Sequence, residues 1–275
     1  MAAFAYASPL EKGWYYLHRL ICGAVLLYLV APILVIIPLS FNSVPFFTYP
    51  MPGLSLRWYE EFFLSAGWQG ALHNSLFIAV LVTLLSTALG TLAALGLSRP
   101  NFPWRAAVMS LLISPMIVPV VITAVAVYFF YADIGLLNSY TGLILAHTLG
   151  ATPFVVIALT ATLMGFDHSL TRAAAGLGAP PITVFFKIIL PLILPGMVSG
   201  ALFAFLASFD EVVVALFVAS PEQRTLPMIM FSGLREQYSP TIIAAATVLI
   251  LFSIVMLTTV ELLRRRSERL RGIRR

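Results

Sequence analysis

The sequence predicts an all-α integral membrane protein with six transmembrane helices. Three observations carry that prediction. Of the 275 residues, 60% are hydrophobic and only 10% charged, and the mean hydropathy is +0.99; soluble globular chains carry about 25% charged residues. Six apolar windows reach the length of about 20 residues that a membrane span needs, near 20–41, 73–98, 106–131, 141–163, 193–218 and 240–262. The basic residues are strongly one-sided: Lys12, Arg19, Arg99, Arg105, Arg172, Lys187 and seven arginines after Glu261 fall on one face of the alternating loops, and Arg57, Arg224 and Arg235 on the other. Basic loops stay inside, so both termini are expected in the cytoplasm.

Along the chain, 1–19 reads as a cytoplasmic N-terminal segment and 20–70 as the first span with its outer loop. The first apolar run is too long for a secretory signal, and no small-residue cleavage site follows it, so it is expected to remain as a helix. The rings of the loop 42–72 (Phe46, Phe47, Tyr49, Trp58, Tyr59, Phe62, Phe63 and Trp68) suit the headgroup level, and Glu60 and Glu61 read as solvated surface. Residues 71–262 form the core of five further spans, and 263–275 a basic cytoplasmic tail.

Small residues in the second window (Ala88, Gly90, Ala93, Ala94, Gly96) and the fifth (Gly200, Ala201, Ala204, Ala207) permit close helix contact. The Arg99–Arg105 turn faces inward, and Tyr128, Phe129, Phe130 and Tyr131 close the third span as an interfacial belt. The single Cys22 excludes an intrachain disulfide and packs as a small apolar residue. No strand alternation suits a barrel, and no internal repeat suits the duplicated carriers. The sequence shows no metal-ligand cluster, no nucleophile elbow and no paired carboxylates over a soluble cleft. The basic balance sits in a membrane anchor, which argues against nucleic acid.

The segment 165–192 is too polar for hydrocarbon. Asp167 can cap a helix whose first turn is His168-Ser-Leu-Thr. Arg172, Ala173, Ala174 and Ala175 continue it, and Gly176 or Gly178 can end it in a left-handed turn. Pro180-Pro181 suits the start of a second short helix over 182–190, and Pro191 and Pro195 are expected to kink the entry into the fifth span. Leu170, Ala173, Ala174 and Leu177 make a small apolar face of the kind that fits a groove on a partner.

This spacing resembles the EAA signature of ATP-binding-cassette (ABC) importer permeases. That signature has Glu-Ala-Ala, then Gly, then Ile and Leu-Pro at fixed intervals, and here reads Arg172-Ala173-Ala174, Gly178, Ile188, Leu190 and Pro191. Arg172 departs from the pattern, so the contact made by the usual Glu does not carry over, and a charge-swapped partner becomes an option. His73-Asn-Ser at the head of the second span, Ser208-Phe-Asp-Glu-Val-Val-Val214, Thr225-Leu-Pro227 and Ser239-Pro240 are most similar to the smaller permease of spermidine/putrescine importers.

The resemblance implies a type I permease fold in a bacterial inner membrane. It also implies a second permease, expected as a heterodimer, two ATP-binding subunits that grip the 165–192 loop, and an extracytoplasmic substrate-binding protein. No Walker motif occurs in the sequence, so this chain is not expected to be an enzyme or to hold a cofactor; ATP and Mg belong to the partner. Glu222, Arg224, Arg235 and Glu236 are then candidate contacts for the binding protein.

Asp210 and Glu211 are the acids placed well inside a span, with Phe209 beside them. Asp210 lies eight residues from Val218, or about 12 Å along a helix, close to the midplane of a core about 30 Å thick. Charge there is costly and points to function. On one helix the two acids would face about 100° apart, leaving open which lines a pathway and which packs. A pathway acid suits a small organic cation such as a polyamine. An opine, aminophosphonate, thiamine or ferric iron importer remains open, as does a gradient-driven carrier or channel. His73 and His147 fall near span ends and read as satisfied structural histidines.

Overall fold

The computed structural model describes residues 8–46, 48–99, 102–236 and 239–270, without the side chains of residues 236, 260 and 263–270. It divides into two compact units, Met1–Phe63 with Gln237–Leu251, and Leu64–Glu236 with Phe252–Arg275. The described residues are almost wholly helical, with five apolar helices long enough to span a membrane, or six if one bent pair counts as a single span.

In the first unit, α1 (Pro9–Leu39) starts earlier than the 20–41 window. The reason is local: Ser8 and Glu11 form a reciprocal capping box, and Pro9 takes the first helical position, where its missing N–H costs nothing. No residue of α1 is buried, so its apolar flanks are free for lipid or another subunit.

The loop after α1 is pinned to α2 (Arg57–Leu64). The Trp58 indole N–H donates to the Asn42 carbonyl at 2.7 Å, and the Ser40 and Tyr59 hydroxyls lie 2.6 Å apart. Trp58 and Phe62 are buried in this unit, which corrects their reading as headgroup rings. Glu61 is not plain solvated surface either, since it accepts a hydrogen bond from Thr241 at 2.8 Å. Phe47 lies outside the described residues.

The second unit is built on α3 (Ala66–Leu97), α6 (Tyr140–Met164) and α9 (Leu190–Phe209). Ile78, Val82, Val155, Leu159, Ile193 and Ala204 are core residues contributed by these helices. The small residues read in the sequence explain the tightness. A β-carbon on Gly90 would stand 2.7 Å from Val155 Cβ, and one on Gly200 2.9 Å from Val155 Cα. α3 and α9 therefore both close onto α6 at Val155.

Two expected spans are broken. The window 106–131 is not one rod but α4 (Arg105–Ile117) and α5 (Val120–Ile134), meeting at 99°. Pro119 explains the break: its ring drives Val118 out of the helical region, to φ −69° and ψ 131°. The window 193–218 ends as a helix at Phe209 and resumes only as α10 (Val213–Val218). Two further helices are α11 (Leu226–Glu236) and α12 (Pro240–Leu270), the latter running past the expected end at 262.

Candidate functional site

The break at residues 210–212 brings the two acids together. Asp210 is the C-cap of α9, its N–H donating to the Leu206 carbonyl at 3.0 Å. Val212 turns the chain at φ −112° and ψ −34°. Glu211 then caps α10 from below, its Oε1 accepting from the Val214 N–H at 2.7 Å. Since the helix has ended, the expectation that two adjacent acids face about 100° apart does not hold. Both line one cavity of about 330 Å³, together with Phe154, Phe203, Leu206 and Ala207. Phe154 and Phe203 stack there at 6.3 Å and 21°. Among the described residues none donates a hydrogen bond to the Asp210 carboxylate, which is exposed to this space.

Glu211 also lines a neighbouring cavity of about 280 Å³. Its walls come from the α4–α5 bend (Pro115, Met116, Val120, Thr123), from α6 (Ala146, His147, Gly150, Phe154) and from Ala207 and Val214. The site thus lies where two interrupted helices meet one continuous helix. Ends of broken helices expose backbone groups and charge at membrane depth, where an unbroken helix offers neither.

His147 contradicts its reading as a satisfied structural residue. It is buried and seven residues into α6. Its Nδ1 is 3.0 Å from Ser208 Oγ, while Nε2 has no partner among the described residues. Sequence reasoning also missed Phe154 and Thr123, whose roles depend on the breaks. Phe209 lines neither cavity. It stacks on Phe205 at 5.5 Å and packs on Phe252 at 5.7 Å, a buried aromatic cluster on the other side of α9.

The segment between α6 and α9 folds as two short helices. α7 (Ser169–Gly176) begins where the Asp167 carboxylate accepts from the Ser169 N–H at 2.8 Å. Hydrogen bonds from the Ser169 backbone and hydroxyl, helped by the nearby Arg172 charge, hold the Asp167 carboxyl below its usual range. The left-handed residue that closes the turn is Gly178, not Gly176. The Ala179 N–H donates to Ala174 and the Gly178 N–H to Ala175, and Gly178 takes φ +82°, a paired carbonyl cap that calls for glycine.

α8 (Pro181–Val184) starts on Pro181 as expected. The helix then widens into a π-turn over Phe185–Ile189 and runs unbroken into α9. The widened turn moves the preceding carbonyls away from the Pro191 ring, so the proline is accommodated without ending the helix. Arg172, Ala173, Gly178 and Pro191 are exposed, and Ala174, Ile188 and Leu190 half-buried. No residue of α7 is buried, and Leu177 is 90% exposed, with Leu170, Ile182 and Phe186 also open.

The opposite end of the unit is held differently. Asn74 donates through Nδ2 to the carbonyls of Glu222 and Arg224 at 2.9 and 3.0 Å. The Tyr140 hydroxyl lies 2.9 Å from Asn74 Oδ1 and 3.0 Å from the Glu222 carbonyl. The Ser75 hydroxyl accepts from the Leu226 N–H at 2.8 Å. The side chains of Glu222, Arg224 and Arg235 point outward and are exposed. The Ser220 hydroxyl holds the Glu222 carboxyl below its usual range. The Glu236 side chain lies outside the described residues.

Residues 86–269 match the family of binding-protein-dependent transport system inner membrane components. This chain belongs to that family. The permease is 33% identical to the spermidine/putrescine transport system permease protein PotC of Haemophilus influenzae, over 92% of this chain and 98% of that one. It is 35% identical to the putrescine transport system permease protein PotI of Escherichia coli, over 88% of each chain.

Among solved structures, the permease fold superposes on a bacterial ABC transporter involved in the import of the acidic polysaccharide alginate. The TM-score is 0.72, over 93% of this chain and 98% of that one, at 16% identity. It also superposes on the MetNI methionine ABC transporter at a TM-score of 0.58, over 72% and 94% of the two chains, at 19% identity. Those two transporters carry chemically unlike cargoes, so the permease fold leaves the cargo of this chain to be argued from its cavity.

Proposed function

We propose that this chain forms, with a second and similar permease, the membrane pathway of an ABC importer for a polyamine. One observation carries the cargo: Asp210 and Glu211 converge on a cavity walled by the stacked Phe154 and Phe203. A carboxylate with no donor from its own chain favours a cation, and ring faces add attraction for an ammonium or its alkyl stem. Identity with PotC and PotI across nearly the whole chain supports the same choice.

Both termini and the Arg172 segment lie in the cytoplasm in this reading, and the Glu222 end faces outward. Two ATP-binding subunits hold ATP and Mg and hydrolyse it; the permease supplies the grip through Arg172, Ala173, Ala174, Gly178, Ile188, Leu190 and Pro191. Leu170 and Leu177 enter a groove on that subunit, and Arg172 meets an acid there in place of the family's Glu. Glu222, Arg224, Arg235 and Glu236 form a charged rim for the extracytoplasmic binding protein that delivers the cargo.

The test is uptake of labelled putrescine by cells lacking their own polyamine systems and expressing the complete transporter. D210N is expected to lower uptake about ten-fold, the size of one lost charge-assisted contact, with the ATP-binding subunit still attached. Wild-type rates in both D210N and E211Q, or no putrescine uptake by the unaltered transporter, would overturn the reading.

A further inference from the structure

Asp210 and Glu211 are neighbours in the chain, but their oxygens are spent differently. No described residue donates to the Asp210 carboxylate, whereas Glu211 accepts from the Val214 N–H at 2.7 Å and from the Val213 N–H as well. Those two amides lie in the first turn of α10, ahead of its first internal bond, from the Leu216 N–H to the Val212 carbonyl at 2.9 Å. An amide left unpaired at membrane depth has no water to turn to. Residues 212–218 read Val-Val-Val-Ala-Leu-Phe-Val, so α10 has no side-chain oxygen of its own with which to cap itself. Glu211 supplies one from the preceding position.

What this cap holds is the seat of Asp210. On one side of the turn, the Asp210 N–H is bonded to the Leu206 carbonyl of α9 at 3.0 Å. On the other side α10 is locked in place. Val214 and Val218 are buried with Ala124, Tyr131 and Ala146, Ala215 belongs to the main core, and the Val218 carbonyl accepts from the Asn138 N–H at 3.0 Å. Only residues 210–212 stand between these two fixed ends, and the Glu211 side chain ties them to α10.

We propose that Glu211 is a positioning residue: it clamps α10 to the turn that aims the Asp210 carboxylate into the 330 Å³ cavity, and Asp210 is the counter-charge that this pair of acids offers to the cargo. This deepens, and rests on, the reading of that cavity as a cation site. The role asks for a hydrogen-bond acceptor at 211 and not for a charge. Gln keeps a carbonyl oxygen at the same reach. Ala removes it, leaves the two amides unpaired and lets the turn relax. Because Glu211 acts through Asp210, its loss matters little once Asp210 has already been neutralised; residues that work through one another are not additive.

The experiment measures uptake of labelled putrescine by the complete transporter carrying D210N, E211Q, E211A or D210N/E211A. D210N and E211A are each expected to lower uptake about ten-fold. E211Q should stay within about two-fold of the unaltered protein, because the acceptor survives. The double variant should be no slower than D210N. E211Q as slow as D210N, E211A at the unaltered rate, or a loss of about a hundred-fold in the double variant, two independent ten-fold steps, would overturn the proposal. Amide exchange at residues 213 and 214 of the assembled complex decides the matter should E211A fail to reach the membrane: E211Q should match the unaltered complex, and faster exchange in E211Q would sink the clamp. The two readings fail separately. A slow E211Q beside a slow D210N leaves the cation site and removes this inference alone. No putrescine uptake by the unaltered transporter removes the polyamine cargo, and unchanged exchange in E211Q with faster exchange in E211A then still supports the clamp.

Discussion

The two ends of the α3–α6–α9 bundle solve the same problem in opposite ways. At the Glu222 end, an irregular stretch is fastened by side chains from the helices beneath it: Asn74, Ser75 and Tyr140 meet the backbone of residues 222–226. At the Arg172 end, Phe166 and Ile189 rest on the core, but the described hydrogen bonds of 167–179 are the segment's own, from Asp167 at its start to the Gly178 turn at its finish, and Leu177 is left in the open. The first end is a platform held by its own fold, with charges turned outward. The second is a preformed plug whose apolar surface stands uncovered, the surface proposed to seat in the ATP-binding subunit. The difference predicts where each end is vulnerable: the platform through its hydrogen bonds, the plug through its exposed side chains.

The largest effect should come from the plug. L177D is expected to cost about 2 kcal/mol of partner binding, the scale of an interface hot spot, or roughly thirty-fold in affinity. Co-purification of the ATP-binding subunit measures it, and undiminished recovery would mean that Leu177 is not seated in a groove. The platform should be sensitive from within. N74A removes the donor from two carbonyls and is expected to cost about 1–2 kcal/mol. Amide exchange at 223–226 should quicken while exchange across α7 stays unchanged; equal change at both ends would break the contrast. The smallest effect should be G178A. No atom lies within 4 Å of the added β-carbon, so the cost is conformational alone, about 1 kcal/mol for a left-handed residue. It should appear as about five-fold weaker attachment of the ATP-binding subunit.

Much of this arrangement is legible in the sequence, because local chemistry governs it. Pro181 opens α8 and Gly178 closes α7 as their residue types require, and Gly90 and Gly200 mark the close approach to Val155. The breaks are harder to read. Apolar windows report solubility in lipid, and 106–131 and 193–218 each pass as one span over their whole length although a proline interrupts the first and two acids the second. The signals were there in part: Pro119 forces its predecessor out of the helix, and Glu211 stands three residues before the N–H it caps. His147 shows the remaining gap. Its significance depends on which of its two nitrogens finds Ser208 across a helix interface, and that follows from packing alone. Ser8 and Glu11 likewise extend α1 beyond its apolar run through a cap that hydropathy does not register.

The π-turn at Phe185–Ile189 leaves Pro181–Phe209 a single unbroken piece of 29 residues. A helix of that length spans about 43 Å. Swung by about 10° around its Pro181 end, its far tip would travel about 7 Å, and that tip is the start of the 210–212 turn. Asp210 therefore rides on the end of a crank whose handle is the surface proposed to seat in the ATP-binding subunit, and a modest stroke at the handle is large beside the width of an ammonium group.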